Sequence, residues 1–387
     1  MLRRNVFLLV VAAQLCLALA ISGCASTSSA EEIAVAEAAD TGAVDQVQVS
    51  DASEMIDDTE VTDPEMPAAE DEGLQAEGVQ LVHAFEAGNG ELPEGLAIDK
   101  SGNTYVSVGY PFWFAVEESF GEIWKISPEG EKTVLHAFPG GPGAAGLAVS
   151  PSGELYLAYP NPPDPATNGV YRFTDEGDIE RLPGSENIVL SNGLALTNQG
   201  DLFVSDSVLG AVWRIPNNGG EAEMWIQHEW LTGCDSENYL VGANGVAIWK
   251  DGLYVASTSR GMLLHVPIQN DGSAGQIEIV AGDDDCSVDD ALGGLDGIAL
   301  DVHGNVFALQ VLPNKLVRID PNDGSYTVLL TEADGLYNPA SITFGTGAGD
   351  RQAVFMSNYA LLPPAPAASL GPGVLSLDVG VPGLPLP

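Results

Sequence analysis

The hydrophobic pattern of the chain repeats. A short apolar run, a polar turn that in most copies contains Gly, and a second run in which apolar and polar residues alternate recur six times. This combination is typical of two antiparallel strands joined by a tight hairpin. The copies are spaced by about 42 to 52 residues, which is the period of propeller blades with four strands each. The copies span residues 92–108, 144–159, 190–206, 242–257, 294–309 and 337–357.

Two further strands follow each of several copies, as in GEIWKIS and KTVLHAF after the first one. The sixth copy is followed by a single strand, GVLSLDV (373–379), whereas VQLVHAF (79–85) precedes the first copy and resembles KTVLHAF (132–138). We predict that the N-terminal strand completes the last blade, because this closure removes exposed sheet edges. The predicted fold is all-β, a single six-bladed β-propeller over residues 79–380 with a Pro-rich tail over residues 381–387.

Oxygen-bearing side chains mark the start of most predicted inner strands. In a propeller the inner strands line a central channel, and the residue just before each of them lies at one mouth. Two carboxylates and several amides on one axis favour Ca²⁺ or another hard divalent cation, with Mg²⁺, Mn²⁺ and Zn²⁺ as alternatives. Turn chemistry alone stays open as an explanation, because Asn-Gly and Asp-Gly are common turn formers. The six positions are Glu94, Ala145, Asn192, Asn244, Asp296 and Asn338.

Four of these segments resemble a known family, the SMP-30/gluconolactonase-like six-bladed propellers, which are calcium- or zinc-dependent lactonases and phosphotriesterases. The segments are PEGLAID (93–99), SNGLAL (191–196), ANGVAI (243–248) and LDGIALDVHGNVFAL (295–309).

The resemblance covers about residues 79 to 380. It implies a metal site formed by Glu94, Asn192, Asn244 and Asp296. It also implies that Asp296 acts as general base or orients the attacking water, although a role as ligand alone stays open because a metal-bound carboxylate is a weak base. The sequence offers no identifiable counterpart of the substrate-orienting Arg of sugar lactonases.

The N-terminal region predicts export. Residues 1–23 combine Arg3 and Arg4 with an apolar stretch too short to span a bilayer, as signal peptides do. The end of this stretch, ISGC, resembles a bacterial lipobox, which implies cleavage before Cys24 and lipidation of Cys24. An ordinary signal peptide cut elsewhere is the alternative. Residues 24–78 are acidic and lack Lys, Arg and aromatic residues, so we predict a disordered tether between a membrane-held lipid and the propeller.

The net charge limits the classes of partner that the protein can bind, and the cysteine content indicates a disulfide. The formal net charge of −42 argues against binding of nucleic acid or of an anionic membrane surface, because both require cationic patches. Contact with the membrane is therefore expected only through the lipid. Cys234 and Cys286 remain in an exported domain, where a disulfide between them is the expected state.

The leading hypothesis from the sequence is a membrane-tethered, metal-dependent hydrolase of lactones or related esters. It would act on small molecules on the periplasmic face or the cell surface, and we expect a monomer. The alternative is a propeller that binds a ligand or a protein, holds a structural cation and performs no chemistry.

Overall fold

The structure is a computed structural model, which describes residues 78–111, 120–174, 178–234, 241–250, 252–283, 291–362 and 365–387. The predicted signal peptide, the lipidation site Cys24 and nearly all of the predicted tether lie outside the described residues. Within them, no helix has the length and apolar character needed to cross a membrane.

The described residues form a six-bladed β-propeller, as the sequence predicts. Each blade is a four-stranded antiparallel sheet. The strands are β1 Gln80–Ala84, β2 Pro93–Ile98, β3 Thr104–Gly109, β4 Phe120–Ile126, β5 Lys132–Pro139, β6 Leu147–Val149, β7 Leu155–Tyr159, β8 Gly169–Phe173, β9 Ile179–Arg181, β10 Ser191–Leu196, β11 Leu202–Asp206, β12 Ala211–Ile215, β13 Glu223–Gln227, β14 Ala243–Trp249, β15 Gly252–Ser257, β16 Met262–Pro267, β17 Glu278–Ala281, β18 Leu295–Leu300, β19 Val306–Gln310, β20 Lys315–Ile319, β21 Tyr326–Leu330, β22 Pro339–Phe344, β23 Ala353–Asn358 and β24 Gly373–Asp378. Short 3₁₀ helices span Ala87–Asn89, Ser185–Asn187, Glu229–Leu231 and Glu332–Asp334.

Blades 1 to 5 take four consecutive strands each, β2–β5, β6–β9, β10–β13, β14–β17 and β18–β21. Blade 6 contains β22, β23 and β24, and its outermost strand is β1 from the N-terminal end of the described chain. The strands β1 and β24 pair antiparallel, with Gln80 opposite Ser376. The predicted closure by the N-terminal strand is therefore confirmed.

Local hydrogen bonds explain why the inner hairpins form where the sequence predicts them. In blade 1, Asp99 Oδ1 accepts bonds from the backbone N–H groups of Ser101 and Asn103 at 2.8 and 2.9 Å. In blade 5, Asp301 Oδ1 accepts the equivalent bonds from His303 and Asn305 at 2.8 and 2.9 Å. A short acidic side chain that caps its own turn favours this conformation over continued strand.

The core lies between the blades. In each sheet, every second side chain faces the neighbouring sheet. The apolar clusters that these side chains form join one blade to the next. Phe203 of blade 3, for example, packs with Val246 and Val255 of blade 4. Because every blade depends on two neighbours for burial of its apolar faces, the ring is a single packed unit.

The C-terminal segment, which the sequence separates as a Pro-rich tail, packs against the propeller. Leu384 N–H donates to Leu300 O at 3.1 Å, and Val302 N–H donates to Pro382 O at 3.0 Å. Leu386 packs against the cluster between blades 1 and 2. The segment thereby lines a cavity of about 550 Å³ together with the C-terminal halves of the inner strands, at the mouth opposite the oxygen-bearing positions.

Glycines near the start of the inner strands permit the blades to approach each other. A Cβ atom on Gly245 would lie 2.2 Å from Asp296 O and 2.9 Å from Ile298 N of the next blade. No side chain fits in that space, because both neighbours are backbone atoms. The small residue at this position therefore determines how closely neighbouring inner strands meet at the channel.

We predict that Gly245→Ala destabilises the protein by about 1–3 kcal/mol or more, since the added methyl forces two backbones apart. Chemical denaturation monitored by tryptophan fluorescence measures the loss. Gly349→Ala is the matched control, because a Cβ atom there has no neighbour within 4 Å. Equal stability of the two variants would contradict the close approach of the blades.

Candidate functional site

The residues near the start of the inner strands meet at one mouth of the channel. Four polar side chains and two alanines, one from each blade, line a common cavity of about 80 Å³. Five of them occupy the equivalent place in their strands, next to a shift in the pairing register, and Ala145 lies just before β6. The structure therefore brings together the four predicted metal ligands. The six ring residues are Glu94, Ala145, Asn192, Asn244, Asp296 and Ala340.

The sixth ring position differs from the sequence prediction, which assigned it to Asn338. The register shift in β22 lies between Pro339 and Ile342, so Ala340 takes the position that Glu94 holds in blade 1. Asn338 has a left-handed backbone with φ 47°, and its side chain donates to Val311 O at 3.1 Å. The prediction was wrong because Ser341 replaces the glycine that marks this point in the other five blades.

Serine hydroxyls fix the ring residues through the neighbouring blade. In blade 3, Gly193 N–H donates to Ser205 Oγ at 2.8 Å, and Ser205 Oγ donates to Asn244 O at 2.6 Å. Ser107 connects blade 1 to Ala145 O in the same way, and Ser357 connects blade 6 to Glu94 O. The backbone of each of these ring residues is thus fixed by a hydroxyl of the preceding blade.

The two asparagines present their amides in a fixed orientation. Asn192 Nδ2 donates to Ser207 Oγ at 3.1 Å, and Asn244 Nδ2 donates to Thr258 Oγ1 at 3.0 Å. Because the amide nitrogens bond to these hydroxyls, the carbonyl oxygens remain for a ligand in the cavity.

The two carboxyl groups of the ring are electrostatically unfavourable as anions. Burial raises the pKa of Glu94 well above its usual range, and the negative charge of Asp296 raises it further. Burial also raises the pKa of Asp296 to about 8, against the opposing effect of a hydrogen bond with Asn244. In addition, Glu94 Oε2 is buried without a hydrogen-bond partner. A buried acceptor in this state costs free energy unless a donor or a cation satisfies it.

These residues fit a hard divalent cation. Two carboxylates and two amide oxygens are the donors that such ions prefer, and a positive charge would satisfy Glu94 Oε2 and relieve the repulsion between Glu94 and Asp296. Among the described residues, no three His, Cys, Asp or Glu side chains converge at one point. Of the four proposed donors, two are carboxylates and two are the amides of Asn192 and Asn244.

Tyr359 lines the same cavity, and no pattern in the sequence indicates it. The residue follows β23 in blade 6, is buried and donates a long hydrogen bond of 3.4 Å to Gly109 O. Burial raises the pKa of Tyr359, and the negative charges of Glu94 and Asp296 raise it further, so the hydroxyl is a neutral donor. No repeat marks this position, because it belongs to an irregular connection in which Ala360 has a φ of 51°.

Apolar side chains from several blades surround the cavity above the ring. We call Pro111, Leu190, Val241, Val311 and Leu361 the apolar rim. Neither the rim nor the rest of the described cavity lining includes Lys, Arg or His.

Three arginines of the described chain are engaged elsewhere. Arg214 pairs with Asp201 at 2.6 Å, and Arg172 pairs with Glu180 at 3.1 Å. Arg260 Nε donates to Thr232 O at 2.9 Å. None of these side chains lines the cavity.

The predicted disulfide concerns a residue outside the described part of the chain, since Cys286 falls in 284–290. Cys234 is buried, and its N–H donates to Ser259 Oγ at 2.9 Å in the connection that precedes blade 4. The pairing of Cys234 with Cys286 stays a prediction.

Comparison with known proteins relates the chain to other proteins through its fold. No protein-family model and no curated protein sequence matches the chain. A candidate gluconolactonase is similar with a TM-score of 0.57 and 16% identity over 80% of this chain and 94% of that protein. A luciferin-regenerating enzyme is similar with a TM-score of 0.55 and 16% identity, over 79% of this chain and 97% of that protein. The calcium-binding protein regucalcin from Agrobacterium tumefaciens is similar with a TM-score of 0.54 and 17% identity, over 76% of this chain and 92% of that protein. At this identity the likeness shows the propeller fold.

Proposed function

We propose that the protein is a divalent-cation-dependent hydrolase of lactones or related esters. The observation that carries the proposal is the buried pair Glu94 and Asp296 in one cavity, with Glu94 Oε2 unsatisfied. The stability of the fold does not favour two carboxyl groups in a cavity with little water. Acidic side chains with shifted pKa values in a cavity are typical of functional sites. The similarity to a candidate gluconolactonase and to a calcium-binding protein supports the same assignment.

Glu94, Asn192, Asn244 and Asp296 would hold the cation, and Ca²⁺ is the first candidate because all four donors are oxygens. When bound, the cation supplies positive charge that polarises an ester carbonyl and stabilises the negative oxygen of the transition state.

Side chains of the protein would accept the proton and orient the groups that hold the cation. Asp296 takes a proton from the attacking water at a carboxylate oxygen and returns it to the alkoxide that leaves as the acyl C–O bond of the ester breaks. The hydrogen bond with Asn244 orients that carboxylate. Asn192 and Asn244 are themselves held by Ser207 and Thr258, so the donor set is preorganised and loses little freedom on binding. The apolar rim excludes water, which strengthens electrostatic interactions within the cavity.

The test combines metal binding with turnover. Calorimetric titration of chelator-treated protein with Ca²⁺ is expected to show one site, and hydrolysis of a panel of lactones and aryl esters is expected to require the added ion. Mg²⁺, Mn²⁺ and Zn²⁺ are tested in the same assay. Binding of the ion without turnover of any ester would contradict the hydrolase and favour a binding propeller with a structural cation.

We also infer that the propeller is exported and held at a bacterial membrane by a lipid on Cys24. Gln80 begins the outermost strand of blade 6, so a tether that ends there joins the propeller at its circumference and leaves the channel mouth accessible. Metabolic labelling with a radioactive fatty acid tests the inference, because the label is expected in the natural protein and not in Cys24→Ser. Equal labelling of both would contradict it.

A further inference from the structure

We infer that the cavity selects neutral, apolar lactones and esters with small rings, and discriminates against polyhydroxylated sugar lactones and anionic esters. The inference rests on the proposed function for its reaction and on the apolar rim for its selectivity. It assigns a specificity role to Val311 and Leu361, which the sequence did not single out.

The charge of the loaded site argues against anionic substrates. Glu94 and Asp296 together carry two negative charges when a divalent cation is bound, so the loaded site has no net charge to attract an anion. No Lys, Arg or His lines the described cavity. A carboxylate or phosphate would therefore enter without a cationic partner other than the ion that serves the reaction.

The hydrogen-bonding capacity of the rim argues against sugars. The rim side chains offer neither donors nor acceptors, and several backbone groups of the rim are already paired. Leu190 O accepts from Ser207 N at 3.0 Å, and Val241 O accepts from Ser259 N at 3.0 Å. Val311 donates its N–H to Gly294 O at 2.8 Å and accepts from Asn338 Nδ2 at 3.1 Å. A sugar hydroxyl placed here loses its bonds to water and finds few replacements, which costs roughly 5- to 150-fold in binding for each hydroxyl.

The size of the cavity limits the ring. The cavity is small, with about 80 Å³ open to the centre of a water molecule. Tyr359, Ala340 and Leu361 pack together in one cluster with Leu92, so the wall on the blade 6 side is formed by buried side chains. A compact ring with short alkyl groups suits this space better than a nucleotide or an oligosaccharide.

A matched pair of substrates tests the inference. δ-Valerolactone and glucono-δ-lactone share a six-membered lactone ring and differ in the polar substituents. With Ca²⁺-loaded protein we expect kcat/KM to favour δ-valerolactone by at least about 100-fold, which is the effect of one or two unsatisfied hydroxyls. The corresponding lactams, which hydrolyse far more slowly, give the same comparison as a binding measurement by NMR titration.

A pair of variants assigns the preference to the rim. Val311→Asn places a donor and an acceptor at a half-buried rim position and is expected to reduce the preference for δ-valerolactone by about tenfold. Val328→Asn is the matched control, since Val328 is 41% exposed on outer strand β21 and leaves the preference unchanged. An unchanged preference in both variants would overturn the assignment to the rim.

The outcomes separate this inference from the proposed function. Faster turnover of glucono-δ-lactone overturns the selectivity and leaves the hydrolase intact. Selective binding of the valerolactone-derived lactam without turnover of either lactone supports the selectivity and overturns the hydrolase. Binding of neither lactam overturns the selectivity.

Discussion

Asp296→Asn is expected to lower kcat/KM for the best lactone substrate by about 10³-fold, the upper range for loss of one preorganised electrostatic group. The substitution removes both the proton acceptor and one charged cation donor while keeping the shape of the side chain. Steady-state kinetics at saturating Ca²⁺ measure the loss. Glu278→Gln is the control for removal of one negative charge, since Glu278 is exposed on outer strand β17.

The same substitution is expected to stabilise the cation-free protein. Burial raises the pKa of Asp296 to about 8, so folding at neutral pH requires a proton that the unfolded chain does not hold. Removal of this requirement is expected to raise the free energy of unfolding by about 1–4 kcal/mol at pH 7, once the cost of desolvating the new amide is subtracted. Loss of activity together with gain of stability distinguishes a functional group from a structural one. A variant that loses both would contradict the proposed role and indicate a structural carboxyl.

The stability of the cation-free protein is expected to fall as pH rises, in part because of Asp296. Its folded pKa of about 8 lies above the unfolded value of 3.8, so the folded state holds the proton more tightly throughout this interval. The stabilising contribution is therefore complete below the unfolded pKa and is lost as pH rises towards the folded pKa. Between pH 5.5 and 7.5 this group contributes a decrease of up to about 2.7 kcal/mol in the free energy of unfolding.

Urea denaturation of the natural protein and of Asp296→Asn across this pH range measures the contribution of Asp296 together with its effect on Glu94, because all other carboxyl groups are common to both. Parallel pH profiles of the two proteins would contradict the raised pKa. Ca²⁺ is expected to reverse the trend, since the ion binds deprotonated carboxylates and displaces protons. Calcium at 100 times its dissociation constant adds about 2.7 kcal/mol, and at a fixed Ca²⁺ concentration the gain is larger at pH 7.5 than at pH 5.5.

Local sequence patterns are enough to predict the number of blades, their hairpins and the closure by the N-terminal strand. These features depend on local patterns, namely alternating apolar residues, turn residues such as Asp99 and Asp301, and the similarity of residues 79–85 to 132–138. A repeat also places equivalent residues at equivalent points, which is why Glu94, Asn192, Asn244 and Asp296 could be selected together before their positions were known.

Contacts between distant segments, and not local patterns, establish the sixth ring position, the place of Tyr359 in the cavity and the apolar rim. The ring position depends on pairing register in β22, where Ser341 replaces the expected glycine and the local pattern misleads. Tyr359 and Leu361 belong to an irregular connection without periodicity. The raised pKa of Asp296 likewise has no local cause, because it arises from removal of water by side chains of several blades. Local patterns specify strands and turns, whereas desolvation and shared cavities exist only when distant segments meet.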